Sequence, residues 1–342
     1  MHVLLIKMSS LGDVVHALPA VSDAAAHGVT FDWVVEEAFA GIPARHPAVR
    51  RVLPIAWRRW RRGLYANRAD LAQFRRELRE RDYSLILDAQ GLLKSAAVTL
   101  LARGRRKSGF DWASAREGAA SLFYGSRHPV RRQQHAVDRL RQLFAAAIGY
   151  RMTDAEPRFA IGDSRNGKGD RAQRECVLLH GTTWTSKHWP EPMWTELARR
   201  LSERGFAVRL PWGNGEEQAR AGRIAAGLPG VEVLDAMTID TLIDRLSAAA
   251  LAVGVDSGLS HLAAALGVPT LTLYGSTDAT LTGARGARAS NLQASFPCAP
   301  CLRRDCGYRG AAQHWQGRTV VPACYARLAP EEIWPAIERL VD

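Results

Sequence analysis

Long apolar runs are missing from this 342-residue chain: nothing approaches the roughly 18 consecutive apolar residues that a membrane-spanning helix requires. The opening Met1 to Ile6 is too short and wrongly flanked for a secretory signal, so a cytoplasmic protein is expected. Cysteine is scarce, with five residues in all, which argues against a disulfide-stapled scaffold. No G-x-G-x-x-G follows any apolar run that reads as a strand, and the fingerprint of a dinucleotide dehydrogenase is therefore lacking. Gly162-x4-Gly167-Lys168 nearly spells a P-loop, but Gly169 stands where a hydroxyl would hold magnesium. No apolar helix follows, and the match is rejected as a nucleotide site.

What is present reads as two α/β domains. The apolar fraction, 47%, is that of a globular protein, and the length suffices for two cores. Val3–Ile6, Phe31–Val35, Val52–Ile55 and Leu85–Leu87 are short apolar runs separated by helical patterns such as Leu71–Arg81, which predicts a mainly parallel sheet. A polar stretch from Gly162 to Asp170 interrupts the alternation and sets the domain boundary. A second series follows in Val177–Leu179, Ala207–Leu210, Val231–Leu234, Leu251–Val255 and Thr270–Tyr274. The expected domains are 1–162 and 171–328, with 329–342 as a closing helix that packs back on the first.

Charge is unevenly placed. Residues 1–150 carry 24 Lys and Arg against 13 Asp and Glu, a net +11, whereas residues 151–342 carry 22 against 21. Arg58-Arg59-Trp60-Arg61-Arg62 is the densest part, supported by Arg103, Arg105, Arg106, Lys107, Arg116, Arg127, Arg131 and Arg132. Guanidinium groups around a tryptophan suit phosphate or sugar-phosphate, on nucleic acid or on an acidic lipid surface. A solvated basic face with no ligand is the plainer alternative.

The strand-end loops hold the chemistry-bearing residues, because ligands of open α/β sheets bind at the carboxyl ends of strands. After Val3–Ile6 comes Lys7-Met8-Ser9-Ser10-Leu11-Gly12-Asp13, a carboxylate on the first loop. After Val177–Leu179 comes His180-Gly181-Thr182-Thr183-Trp184-Thr185-Ser186-Lys187-His188-Trp189-Pro190, with hydroxyls and a lysine suited to a diphosphate. After Leu251–Val255 comes Asp256-Ser257-Gly258-Leu259-Ser260-His261, where a glycine and a helix start offer N–H groups to an anion. Between them, Trp212-Gly213-Asn214-Gly215-Glu216-Glu217 ends a strand in acids that can accept both hydroxyls of a ribose. Each loop alone is equally explained by helix capping; the ordered set is not.

These loops, together with Phe31-Asp32-Trp33-Val34-Val35-Glu36-Glu37 and Asp88-Ala89-Gln90-Gly91-Leu92-Leu93-Lys94-Ser95, resemble glycosyltransferase family 9 in unbroken order from Met1 to about Tyr274. The resemblance implies a GT-B fold, two Rossmann-like doubly wound domains facing a central cleft. It further implies inverting, metal-independent transfer of L-glycero-D-manno-heptose from ADP-heptose to the inner Kdo of Kdo2-lipid A, by an enzyme peripheral to the cytoplasmic face of the inner membrane. By resemblance Asp13 is the general base and Lys187 stabilises the leaving diphosphate. The donor site then comprises Ser9, Ser10, Gly12, Thr182, Thr183, Lys187, Glu217 at the ribose, Met237 beside adenine, Asp256, Ser257, Gly258 and His261. The acceptor side comprises Arg58, Arg59, Arg61, Arg62, Gln90 and Arg116. The loop Trp184-Thr185-Ser186 departs from the pattern by lacking acidic residues.

Two alternatives stay open at this level: a family member adding a later core sugar, and a basic nucleic-acid-binding protein on the same scaffold. The tail carries Cys298-x2-Cys301-x4-Cys306-x17-Cys324, a candidate structural zinc site in segment 298–324. No cofactor is expected in the reaction itself.

Overall fold

The computed structural model describes residues 1–63, 65–162 and 174–342, so the rejected P-loop match, from residue 163 onward, lies outside the described residues. The chain divides into two compact units, Met1–Ile161 and Gly162–Asp342.

In the first unit six parallel strands lie in the order β3-β2-β1-β4-β5-β6. They are β1 (His2–Ile6), β2 (Thr30–Glu36), β3 (Val49–Ile55), β4 (Leu85–Asp88), β5 (Lys107–Phe110) and β6 (Ser126–His128). Val3, Leu4, Leu5 and Ile6 are fully buried. That is why β1 reads as an unbroken apolar run: a parallel strand covered on both faces has no polar side to show. The strand order reverses between β1 and β4, whose ends meet at the pair Ile6 and Asp88. This switch point is where a doubly wound sheet leaves a crevice for ligand.

The second unit repeats the plan with β7 (Arg174–Leu179), β8 (Phe206–Leu210), β9 (Val231–Val233), β10 (Leu251–Val255), β11 (Thr270–Tyr274) and β12 (Ala289–Gln293). Their order is β12-β11-β10-β7-β8-β9, the same connectivity as the first sheet, with the reversal between β7 and β10. Gly254 in β10 is required by close approach: a Cβ there would collide with the Ser260 hydroxyl oxygen, which donates to the Val255 carbonyl at 2.7 Å. The helix Gly258–Ala265 can thus sit tight against the end of its strand.

Nine strands match the apolar runs read from the sequence. The other three in the two large sheets, β5, β6 and β12, have the sequences KSGF, SRH and ASNLQ. Polar composition concealed them, and β6 and β12 lie at sheet edges where one side is left unpaired. The closing helix Pro330–Val341, expected against the first unit, places Ile333, Ala336 and Ile337 in the core of the second. Among the described residues no helix is long and apolar enough to cross a membrane.

Candidate active site

In the first unit the loop after β1 runs directly into the helix Leu11–Ala26. Asp13 lies in its first turn and closes a capping arrangement, accepting from the Ser10 N–H and the Ser10 hydroxyl, both at 2.9 Å to Oδ2. Its other oxygen, Oδ1, faces the Lys7 ammonium at 3.3 Å. Burial works against ionisation of Asp13, but the Lys7 charge, the Ser10 N–H, His16 and the Ser10 hydroxyl outweigh it. The carboxyl is therefore held well below the usual range. The exposure is divided unequally, 36% for the Asp13 side chain against 6% for Lys7. What this unit presents is an accessible anion with a covered counter-ion. Gly12 is buried behind it in the same turn.

The loop after β4 locks onto this one. Gln90 Oε1 accepts from the backbone N–H of Met8 at 3.0 Å and of Ser9 at 3.1 Å. Its carbonyl is thus committed to the protein's own backbone. Asp88, buried at the strand end, accepts from Gln90 N, Gly91 N and the Tyr124 hydroxyl. Burial raises its pKa despite those bonds. Lys94, which the sequence motifs do not single out, donates to the Ser9 hydroxyl at 3.2 Å. Desolvation lowers its pKa, and the nearby charges of Arg58 and Arg61 push the same way. Its position at a helix start in the loop after β4 was the available signal.

The arginines expected at the acceptor side fall into two groups. Arg59 is engaged within the protein, bonding Asp70 at 2.5 Å, Asn67 at 3.0 Å and Glu37 at 3.3 Å. Arg58 lies over the Phe39 ring, 5.4 Å from its centroid. Arg61, Arg62 and Arg116 are exposed. A Cβ on Gly91 would come within 3.4 Å of the Arg116 backbone nitrogen, so Arg116 borders the Gln90 loop. Ser9 and Ser10, expected to serve the donor, have their hydroxyls tied to Lys94 and Asp13 of their own unit.

In the second unit the loops after β7 and β10 meet at the equivalent switch point. Lys187 Nζ pairs with Asp256 Oδ2 at 2.7 Å and lies over the Trp184 ring, 4.6 Å from its centroid. Asp256 also accepts from the Thr277 hydroxyl at 2.7 Å and contacts His261 Nε2 at 3.3 Å. Burial opposes its charge, yet His261 and Lys187 hold the carboxyl well below its ordinary range. Here the exposure is reversed: 16% for Lys187 and 6% for Asp256. Asp256 is consequently placed to orient a cation, and Thr277 is a partner that no sequence motif pointed to.

The remaining donor candidates surround this pair. Thr182 donates to the Asp256 carbonyl at 3.3 Å, and Thr183 is exposed. Ser257 caps the helix Gly258–Ala265, accepting from Ser260 N. The N–H groups of that helix's first turn, beginning at Gly258, lie at its loop end. Glu217 accepts from Gly213 N at 2.8 Å and packs on Gly181, where a Cβ would lie 2.8 Å from its carboxyl carbon. Met237 is half-buried between β9 and the helix Ile239–Ala248. Ser186 anchors the loop to the tail, bonding Ser276 at 2.9 Å and the Arg303 carbonyl at 2.6 Å.

The four tail cysteines line one cavity of about 420 Å³ beside Ser186 and Ser276. They are free thiols, and among the described residues no group of three or more His, Cys, Asp or Glu is arranged to hold a metal ion. Cys324 is pushed up to about 12, by burial first and then by the neighbouring thiols. The candidate zinc site read from the spacing is therefore not supported by the arrangement of these thiols.

The sequence profile of glycosyltransferase family 9 (heptosyltransferase) matches residues 71–312. Lipopolysaccharide heptosyltransferase 1 of Pseudomonas aeruginosa is 47% identical over 348 aligned residues, spanning 100% of this chain and 98% of the relative. Among solved structures, E. coli heptosyltransferase WaaC with ADP superposes with a TM-score of 0.83 at 40% identity, covering 99% of this chain and 100% of that one. The same enzyme with ADP-2-deoxy-2-fluoro heptose gives 0.82 at 40% identity, covering 99% of each.

Proposed function

The chain belongs to glycosyltransferase family 9, the heptosyltransferases, and from that premise we propose that it moves L-glycero-D-manno-heptose from ADP-heptose to the inner Kdo of Kdo2-lipid A. It is an α/β enzyme of the GT-B class that works in lipopolysaccharide core synthesis. The observation that carries the reaction is Asp13, an ionised and accessible carboxylate at the switch point of the strongly basic unit.

In this reading Asp13 accepts the proton of an acceptor hydroxyl while that oxygen attacks the anomeric carbon, and the ADP oxygen departs with the electron pair of the broken bond. The anomeric centre inverts in this single displacement. Charge grows on the diphosphate, where the Lys187 ammonium and the N–H groups at the start of Gly258–Ala265 would meet it. Glu217 would take the ribose hydroxyls and Met237 the adenine. Arg58, Arg61, Arg62, Lys94 and Arg116 would face the carboxylates and phosphates of the acceptor, which a lipid anchor keeps at the cytoplasmic face of the membrane. Duplex nucleic acid is not favoured, because phosphate binding gives no role to a carboxylate poised beside Lys7.

The test is mass spectrometry of Kdo2-lipid A incubated with ADP-heptose in EDTA, with wild type and Asp13→Ala. One added heptose for wild type and almost none for the variant supports acceptor, base and metal independence together. A wild type that binds ADP but acts only on an acceptor already carrying heptose would move the assignment to a later step.

A further inference from the structure

Ten large hydrophobic residues are exposed among the described residues, and six fall between Leu93 and Phe123. Scattered single exposures need no explanation, but a concentration does. On the helix Leu93–Leu101 the exposed positions are Leu93, Ala97, Leu100 and Leu101, the i, i+4, i+7, i+8 spacing of one helix face. This helix is apolar on its outer face as well as on its buried one.

Neighbouring elements extend the patch. The 3-10 helix Gly118–Phe123 packs on the same helix through Ala96, Ala120 and Tyr124, leaving Leu122 and Phe123 exposed. Trp112 is 61% exposed, with its ring 3.0 Å from where a Gly118 Cβ would be. Basic groups gather at the far end of the helix: Lys107 and Arg79 donate to the Leu100 and Leu101 carbonyls, each at 3.0 Å, and Arg103 and Arg105 are exposed nearby in sequence. A carboxylate, Glu117, accepts from the Leu93 N–H at the other end.

We infer that this face docks the first unit onto an anionic lipid bilayer, with Leu100, Leu101, Leu122, Phe123 and Trp112 entering the headgroup boundary and the arginines and lysine meeting lipid phosphates. Basic groups gathered at one end of an apolar surface that carries a tryptophan are the chemistry of an interfacial anchor. A water-facing partner of equal charge complementarity would not call for this leucine stripe. Lys94, in the first turn of this helix, holds the Ser9 loop, so docking brings the Asp13 loop to the membrane surface. Its purpose rests on the lipid-borne acceptor proposed above; its observations do not.

The test is co-sedimentation with vesicles of mixed phosphatidylethanolamine and phosphatidylglycerol, compared with phosphatidylcholine alone. Wild type should partition to the anionic vesicles. The variant Leu100→Gln/Leu101→Gln/Phe123→Ser should lose about tenfold or more of that partition, the scale set by removing several apolar side chains from hydrocarbon. Brominated lipid should quench wild-type tryptophan emission more than that of Trp112→Phe. The triple variant should keep its turnover of a deacylated, water-soluble acceptor. Unchanged partition of the triple variant, or no Trp112-dependent quenching, would overturn the proposal. So would light scattering that shows wild-type dimers dispersed by the triple variant, which would assign the face to a second copy. Vesicle binding is read without catalysis, so a failed sugar transfer would leave membrane docking standing.

Discussion

Lys187 and Asp256 form a 2.7 Å ion pair that is the inverse of the 3.3 Å pair between Lys7 and Asp13. Both pairs join the loop after a unit's first strand to a carboxylate at the switch point. In one the acid is the more exposed partner, in the other the lysine is. One loop is thereby able to accept a proton and the other to meet an anion, from the same two residue types on the same topology.

Asp13→Asn should keep the fold and the ADP affinity and lower kcat/KM about a thousandfold, the range general-base catalysis contributes. The asparagine can still accept from Ser10 but cannot take a proton. Steady-state rates paired with calorimetric ADP titration check this, and a loss under tenfold would remove Asp13 from the base role.

Lys7→Met should create an acid limb in the pH profile of kcat/KM that wild type lacks in the same range. Asp13 is depressed below its ordinary value, so it stays ionised in wild type as pH falls past about 4. Without the Lys7 charge its pKa rises, and the limb moves to higher pH. For stability the sign is the same: Asp13's contribution is present above the ordinary carboxyl pKa and is lost as pH falls through the lowered one. A profile of unchanged shape in the variant would refute the coupling.

Lys187→Ala should weaken ADP binding about ten- to a hundredfold, the value of one charged hydrogen bond to phosphate. Asp256→Asn should cost about 3 kcal/mol of stability, because it leaves a mostly buried ammonium without its counter-ion. A double-mutant cycle read by thermal unfolding should show the two changes to be strongly non-additive. Additive effects would mean that the pair does not act as a unit.

Gly181→Ala should raise KM for ADP-heptose about tenfold with little change in kcat, since the new methyl would displace the Glu217 carboxyl it meets at 2.8 Å. The same variant should discriminate less between ADP and 2′,3′-dideoxy-ADP, if Glu217 holds the ribose. Discrimination equal to wild type would place Glu217 outside that role.

Much of this is legible in the sequence because buried parallel strands are apolar runs and their ends carry the chemistry. Asp13 and Lys187 stand out as polar residues just past such runs. What cannot be read there is who holds whom. The ties from Thr277 to Asp256 and from Lys94 to Ser9 cross 21 and 85 residues of sequence, and no local periodicity encodes them. Arg59 looks like its neighbours until its bonds to Asp70 and Glu37 set it apart. The cysteine spacing suggests zinc, but spacing alone does not fix whether thiols converge with the right geometry. Burial hides the rest: an apolar helix such as Leu93–Leu101 reads as core, and only its solvent exposure shows a second apolar face.

The two bonds accepted by Gln90 Oε1 make one amide oxygen a fastener between loops that belong to different strands. Met8 and Ser9 amide protons should then exchange with solvent in step with the segment after β4, not on a timetable of their own. Opening one loop opens the other, and the segment after β4 cannot loosen while the carboxylate loop keeps its register.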